Sequence, residues 1–252
     1  MDHYPELARD VALSQPDAIV AASDQLLARL KAATTKPIVG ITADPVLSGL
    51  ASSLSRPGGN VTGFTVGPDE VLGKRLELLR QAVPGVSRMA FLLSQTGWDG
   101  RFGGVMREAA RSAGVTLIGA PTRDPIDEAE FQRVFSLLAR ERAEALIVND
   151  HPANYTYRRL IADLAVGARL PAIAAFRDFP EAGGLMAYAP DTLAIFRGAA
   201  QYTDRILKGA RPGDLPFQEP TKYDLVINLK TAKALGLTIP QSLLGRADVV
   251  IE

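Results

Sequence analysis

The chain has no cysteine among its 252 residues, and it has only two histidines and one tryptophan. Without cysteine, disulfide bonds, thiolate zinc sites and a thiol nucleophile are excluded. Neither charge sign is in excess, because Lys plus Arg and Asp plus Glu both number 28. This balance argues against a nucleic-acid partner and against electrostatic attachment to a membrane, which both require clustered basic residues. The sequence also lacks an apolar run near the roughly 20 residues that cross a bilayer.

The two histidines do not belong to a catalytic or metal-binding pattern. His151 follows Asp150, but no Gly-x-Ser-x-Gly elbow supplies a serine nucleophile, and His3 lies near the N-terminus. The histidines and acids are too sparse for metal-ligand spacing. The glycine-rich residues 56–63 and 183–184 lack the phosphate-loop pattern and precede predicted strands rather than helices. We therefore expect no catalytic residues, no metal and no cofactor.

Short apolar segments alternate with helical periods along the chain, which predicts parallel α/β units. We predict strands at residues 18–22, 37–41, 61–64, 89–93, 115–118, 145–148, 171–175, 185–188 and 224–229. We predict helices at residues 6–13, 25–33, 47–54, 70–83, 102–113, 127–140, 156–168, 191–208 and 230–235. One set of units lies on either side of Pro68, which predicts two lobes.

Three segments carry a resemblance to known proteins. The longest, residues 215–237, reads LPFQEPTKYDLVINLKTAKALGL and combines an extended stretch, an apolar strand and a short helix ended by Gly236. The others are residues 53–64, SLSRPGGNVTGF, and residues 181–188, EAGGLMAY. They closely resemble the substrate-binding proteins of ABC transporters whose best-described members take up aromatic amino acids. The resemblance extends over essentially the whole chain.

The resemblance implies a two-lobed, periplasmic-binding-protein-like α/β fold of class I type, in which each lobe is a parallel sheet flanked by helices. It implies that residues 1–65 and 190–216 form lobe 1 and that residues 66–189 and 217–252 form lobe 2. Three crossings near residues 65–68, 188–190 and 217–220 are expected to form the hinge.

The family normally has a secretion signal and a strand–helix–strand unit before the equivalent of Leu7. Residues 1–6 show neither a basic nor an apolar signal region, so we expect this chain to be N-terminally truncated. We further expect the absent strand to lie between retained strands of lobe 1, so that its loss leaves unpaired backbone groups or a gap that must be closed by re-pairing.

Ligands of open α/β sheets bind outside the carboxyl ends of the strands. A carboxylate suits hydroxyls and helix N-termini, an ammonium suits Asp44 or Asp150, and an apolar side chain suits an aromatic ring. This combination favours a small zwitterion with an apolar side chain. Asn149 is the strongest candidate in the second lobe, because a strand-end amide that faces a crevice has few structural duties. The predicted ligand-binding set is Ser23, Thr42, Asp44 and Thr65 in lobe 1 and Ser94, Trp98, Asn149, Asp150, Arg177 and Tyr188 in lobe 2.

Several members of this set also suit structural roles. Ser23 and Asp44 are typical residues for capping the helices that follow them. Trp98, on a loop bounded by glycines, suits either a ligand contact or the core. Arg177 also suits a surface ion pair with a neighbouring acid, and Tyr188 suits packing at the hinge.

By resemblance, the chain is expected to be the solute-binding component of an ABC import system. It would capture a small molecule, such as an amino acid or related compound, in the interlobe cleft and deliver it to the permease and ATPase subunits. The location would be periplasmic or lipid-anchored outside the cytoplasm. A soluble ligand-sensing domain of a regulatory or signalling system is the alternative, and an α/β enzyme acting at the same crevice is a third.

Overall fold

A computed structural model of the chain describes residues 3–67 and 69–252. The chain divides into two compact units. Unit 1 comprises Met1–Pro68 and Pro190–Lys222, and unit 2 comprises Asp69–Ala189 and Tyr223–Glu252. Pro68, which belongs to one of the expected crossings, lies outside the described residues. Each unit has its own sheet, its own helices and its own buried core.

The strands are β1 Ile19–Ala22, β2 Ile38–Thr42, β3 Val61–Thr65, β4 Arg88–Ser94, β5 Thr116–Thr122, β6 Ala145–Val148, β7 Ala172–Ala174, β8 Met186–Pro190, β9 Tyr223–Asn228 and β10 Val249–Ile251. The helices are α1 Tyr4–Leu13, α2 Asp24–Ala33, α3 Glu70–Ala82, α4 Gln95–Asp99, α5 Arg101–Ser112, α6 Glu128–Arg140, α7 Pro152–Thr156, α8 Arg158–Gly167, α9 Asp178–Glu181, α10 Thr192–Leu207, α11 Leu229–Ala234 and α12 Gln241–Leu244. A single 3₁₀ turn, Pro212–Asp214, follows α10 in the described chain.

The sheet of unit 1 has the order β1-β2-β3, and both pairs are parallel. The register places Ile19 beside Ile38 and Ile38 beside Val61. The three described strands hydrogen-bond to each other in sequence order, so no open gap lies between them, which agrees with the re-paired alternative. The outer edge of β3 is also covered, since Gln218 donates its N–H to the Gly63 carbonyl at 2.9 Å.

Helices cover both faces of this sheet, because the apolar faces of the sheet and the apolar stripes of the helices are buried against each other. On one face, Leu27 and Leu30 of α2 and Ala8 of α1 pack against Ile38 and Val61. On the other face, α10 packs against β2 and β3 through Ile195, Ala199, Tyr202 and Ile206. Asp191 caps α10, accepting the Ala194 N–H at 3.0 Å, as the sequence predicts.

The sheet of unit 2 has the order β10-β9-β8-β7-β6-β4-β5. The pairs β4/β5, β4/β6, β6/β7, β7/β8 and β9/β10 are parallel. One face packs against α3, α5, α11 and α12, and the other packs against α6, α8 and α9. Phe91 on the first face and Phe131 on the second are completely buried. This arrangement brings the carboxyl ends of β4, β5, β6 and β7 to one edge.

Several local expectations are wrong. Residues 47–54 form turns rather than a helix, because Gly49 has a φ of +69° and Leu50 and Ala51 both bond to the Pro45 carbonyl. The loop that holds Trp98 contains the short helix α4, which Ser94 caps. The helix predicted at residues 156–168 is divided at Tyr157 between α7 and α8. The short elements α9, α12 and β10 were not predicted.

Candidate functional site

Ser23 occupies a strained position directly after β1. Its φ is +89° and its ψ is +125°, a combination that residues other than glycine rarely adopt. The Ser23 amide donates to the Ile41 carbonyl at 3.2 Å, and its carbonyl accepts from Leu27 at 3.0 Å, so the backbone is held on both sides. Its hydroxyl makes no capping bond to α2. Strained residues often mark functional sites, and this hydroxyl is not used as the expected cap.

Asp24 joins the ends of β1 and β2. Its Oδ1 accepts a short hydrogen bond from the Thr42 hydroxyl and a second bond, at 3.0 Å, from the Ala43 amide. Thr42 is almost completely buried, and its hydroxyl therefore orients the carboxylate. The predicted set includes Ser23 and Thr42 but omits Asp24. The sequence could have indicated Asp24, because it is an acid at the first position of a helix that follows a predicted strand.

Asp44 and Thr65 lie at the carboxyl ends of the other two strands of unit 1. Asp44 follows β2, and Thr65 is the last residue of β3. Oδ1 of Asp44 accepts the Val46 and Leu47 amides at 3.0 Å each, so this carboxylate holds the turn that follows it. Thr65 is 3% exposed, and its hydroxyl has no hydrogen-bond partner in the described part of the chain. Asp44 thus has a structural duty, whereas the Thr65 hydroxyl is available to a ligand.

At the end of β4, the residues have packing and capping roles. The Ser94 hydroxyl accepts the Gly97 amide at 3.2 Å and starts α4. The Trp98 indole lies against Gly119 of β5, where a Cβ atom would come within 2.6 Å of the ring. The Arg107 guanidinium stacks on the indole with its Cζ 4.9 Å from the ring centroid. Trp98 therefore packs within unit 2, which gives it the core role that the sequence left open.

Two asparagines form a buried pair after β6. The side-chain amide of Asn154 donates to the Asn149 carbonyl at 3.1 Å, and Asn154 is completely buried. Asn149 is 6% exposed, and its Nδ2 has no acceptor among the described residues. Buried amide groups are normally hydrogen-bonded, so Nδ2 of Asn149 is a donor prepared for a further acceptor. Asn154, which fixes this loop, was not predicted from the sequence.

His151 is the N-cap of α7, and its Nδ1 accepts the Ala153 amide at 3.3 Å. Burial lowers the pKa of His151 below its usual value, and the nearby charges of Asp150 and Asp124 oppose this shift. The neutral imidazole that results is consistent with its role as a hydrogen-bond acceptor. His151 is therefore a structural cap beside Asp150.

We expect His151→Asn to reduce the dependence of stability on pH. The folded pKa of His151 lies below the unfolded value of 6.5, so the unfolded chain binds more protons in this window. Stability should then fall as the pH drops below about 6.5. Asparagine keeps a capping oxygen but does not titrate. Melting temperatures at about pH 8 and pH 5 measure the effect, and His3→Asn is the control. An unchanged pH dependence in the His151 variant contradicts this assignment.

Arg177 follows β7, and Tyr188 lies in β8. Nη1 of Arg177 forms an ion pair of 2.9 Å with Oδ2 of Asp224, whose side chain is 4% exposed. The Tyr188 ring stacks on Tyr223 with centroids 5.4 Å apart and planes 25° apart. The partner of Arg177 is thus a distant residue on β9, not one of the neighbouring acids considered from the sequence. Tyr223 also adds a second ring that the sequence did not indicate.

Arg75 of α3 is a further buried charge near these residues. It is 5% exposed, and its Nε donates to the Tyr188 carbonyl at 2.9 Å. The predicted site does not include it. The helical spacing of the sequence indicates that Arg75 is buried. Arg75 is three residues after Leu72 and four before Leu79, so it lies on the apolar stripe of the helix.

Other sites were considered over the described residues. A groove of about 500 Å³ in unit 1 is lined by α1 and by the C-terminal half of α2, away from the strand ends described above. No group of three His, Cys, Asp or Glu side chains within residues 3–67 and 69–252 is arranged to hold a metal ion. None of the helices in these ranges is both long and apolar enough to span a bilayer.

Comparison with known proteins identifies the family of this chain. The family model for ABC transporter substrate binding proteins matches residues 5–251. A curated relative, the tyrosine-binding protein of Clostridioides difficile strain R20291, is 23% identical over 205 residues, which is 79% of this chain. The chain spans 56% of the length of that relative.

Two solved structures have nearly the same fold. A conserved domain protein from Vibrio cholerae has a TM-score of 0.88 at 26% identity. The match covers 98% of this chain and 82% of the Vibrio protein. An ABC domain from Streptococcus pneumoniae, in complex with L-Trp, has a TM-score of 0.87 at 23% identity, with 98% and 85% covered. The predicted α/β class, with parallel sheets flanked by helices, is confirmed.

Proposed function

Because the chain belongs to the ABC transporter substrate binding protein family, we propose that it captures a small solute for delivery to a membrane permease and its ATPase. The family is one of binding proteins rather than enzymes, so the bound solute is released unchanged. Its members act outside the cytoplasm, and we extend that location to this protein. A ligand-sensing role in regulation is the alternative, but it is not favoured by a specific observation on the described residues.

The observation that carries this proposal is that each unit has, at a strand end, a buried polar atom with no hydrogen-bond partner among residues 3–67 and 69–252. These atoms are Oγ1 of Thr65 in unit 1 and Nδ2 of Asn149 in unit 2. A folded protein rarely leaves such atoms unsatisfied, because each costs about 1–3 kcal/mol. A ligand that bonds to them would remove this cost. Each of these strand ends is thus suited to a polar group of a solute.

An amino acid or a related compound is the solute class that fits these strand ends best. Unit 1 offers the Ser23 and Thr65 hydroxyls and the Asp24 carboxylate, and unit 2 offers the Asn149 amide and the Asp150 carboxylate. The relatives support this class, since one is named for tyrosine and another holds L-Trp. An ammonium group would bond to a carboxylate, and polar groups of the ligand would bond to the hydroxyls and the amide.

A thermal-shift screen against the twenty amino acids, polyols and sugars tests this function. A solute at 100 times its dissociation constant stabilises the native state by about 2.7 kcal/mol. For a chain of this size, that corresponds to a rise of about 5–10 °C in melting temperature. We expect such a rise with one or more amino acids. If no amino acid raises the melting temperature, the assignment to amino acids is wrong.

Two threonines of β3 allow a matched test of the site. In Thr65→Val, the lost hydroxyl has no hydrogen-bond partner among the described residues, so we expect stability to rise by up to about 1–3 kcal/mol and the affinity for the solute to fall about tenfold. In Thr62→Val, the lost hydroxyl donates to the Leu215 carbonyl at 2.6 Å, so we expect a loss of about 1 kcal/mol of stability and unchanged affinity. Urea unfolding and calorimetric titration measure both quantities. If Thr65→Val binds the solute as tightly as the unmodified protein, Thr65 is not part of the site.

A further inference from the structure

The guanidinium of Arg75 is buried in unit 2, and it forms no ion pair with another residue that the structure describes. Its hydrogen bond runs from Nε to the Tyr188 carbonyl, which is a neutral acceptor. Among residues 3–67 and 69–252, no carboxylate oxygen lies within 4.0 Å of it. Buried arginines are almost always paired with an acid, because an isolated charge is costly to remove from water. Both Nη groups therefore remain to be matched by an anion.

The neighbours of Arg75 are residues of the candidate site. Burial lowers the pKa of Arg75, and the strongest opposing influence is the charge of Asp150, followed by Tyr223 and Tyr188. Helix α3 packs against β6 and β7, and Asn149 directly follows β6. The unpartnered Nδ2 of Asn149 is a second buried donor at this edge. Arg75, on a helix that packs against β6, and Asn149, which follows β6, thus both offer donors without an acceptor among the described residues.

We infer that Arg75 and Asn149 bind the anionic group of the solute, so that the ligand class is a carboxylate-bearing solute rather than a neutral one. This inference rests on the proposed function and names the group that its site selects. The two Nη groups of an arginine match the two oxygens of a carboxylate, and the amide of Asn149 supplies a further bond. The stacked rings of Tyr188 and Tyr223 border the same edge and provide an apolar surface for the rest of the molecule.

This assignment puts the carboxylate in unit 2, whereas the sequence suggested hydroxyls and helix N-termini for it without choosing a lobe. The first turn of α2 already contains the Asp24 carboxylate, and Asp44 follows the neighbouring strand β2. Two acids at this edge disfavour a ligand carboxylate and favour an ammonium group. An amino acid carries the carboxylate that Arg75 and Asn149 of unit 2 would bind.

Calorimetric titration of the 252-residue chain with matched compounds tests the inference without any mutation. The probes are L-tyrosine and L-tryptophan, together with tyramine and tryptamine, which lack the carboxylate. We expect each amino acid to bind at least about 30-fold more tightly than its amine, because removing one partner of a buried charge pair has an effect of this size. Equal affinity for an amino acid and its amine overturns the inference and leaves the proposed function intact. If only polyols bind, the inference is likewise overturned and the proposed function stands. If neither the four probes nor polyols bind, the inference and the proposed function are both overturned.

Arg75→Gln and Arg80→Gln form a matched pair on α3. Arg80 is an exposed residue of the last turn that donates Nη1 to the Ala113 carbonyl, so its replacement should leave binding unchanged. We expect Arg75→Gln to reduce the amino-acid affinity at least about 30-fold with little effect on the amine. Equal weakening of both compounds indicates a merely structural role for Arg75 and contradicts the inference. If Arg75→Gln does not fold, the comparison of amino acids with amines in the unmodified chain decides.

Discussion

Gly63→Ala is expected to destabilise unit 1 by more than about 4 kcal/mol, which is an exceptional effect for one methyl group. A Cβ atom at this position would lie 1.9 Å from the Gly40 carbonyl oxygen and 2.7 Å from the Gly40 nitrogen. Both are main-chain atoms of β2, which is hydrogen-bonded to β1 on one side and β3 on the other. The backbone therefore has no room to move. The φ of +148° at Gly63 adds strain for any residue with a side chain.

Gly59→Ala is the control for this substitution. No atom lies within 4 Å of a Cβ atom at Gly59, and we expect a change within about 0.5 kcal/mol. Urea unfolding of both variants measures the difference. Because β2 and β3 end in Thr42 and Thr65, the destabilised sheet should also lose the solute site. A melting temperature of Gly63→Ala close to that of Gly59→Ala would contradict the close contact between β2 and β3.

Phe91→Ala is expected to destabilise unit 2 by about 3–5 kcal/mol. Phe91 is completely buried in β4, a strand that pairs with both β5 and β6. Removing its ring leaves a cavity that this close-packed sheet cannot fill, so the lost contacts add to the lost transfer free energy. The same sheet positions Asn149 at the end of β6, and solute affinity should fall with the stability.

Phe196→Ala provides the comparison for Phe91→Ala. Phe196 is 52% exposed on α10, so its replacement should change stability by less than about 0.5 kcal/mol. Urea titrations at equal protein concentration give the free energies of unfolding for both variants. A cost for Phe91→Ala below about 1 kcal/mol would show that the core of unit 2 repacks around the missing ring.

The sequence predicted most elements because their signals are local. Residues 145–148 form a fully apolar run, and the strand β6 has the same bounds. Asp191 stands before a long helical period, and it caps α10 as expected. A strand or a cap depends on a few adjacent residues, so their pattern is visible in one dimension. The helix expected at residues 47–54 failed because bonds to the Pro45 carbonyl and the positive φ of Gly49 select turns.

The candidate site was harder to predict because its contacts are between distant parts of the chain. Arg75 meets the carbonyl of Tyr188, and Arg177 meets Asp224, across 113 and 47 residues respectively. No local pattern indicates either pair. The rule that ligands bind at strand ends selected Asn149 and Thr65 from topology alone, and a buried polar atom of each has no partner among the described residues. The same rule selected Trp98, which packs against β5, and Ser94, which caps α4.

Calorimetric titration of the unmodified chain with the amino acid that gives the largest thermal shift tests the central claim most directly. Capture of a solute by the strand-end residues predicts saturable binding of one molecule per chain, with unchanged solute recovered after release. Binding that does not saturate, or chemical conversion of the solute, would contradict the proposed role as a binding protein.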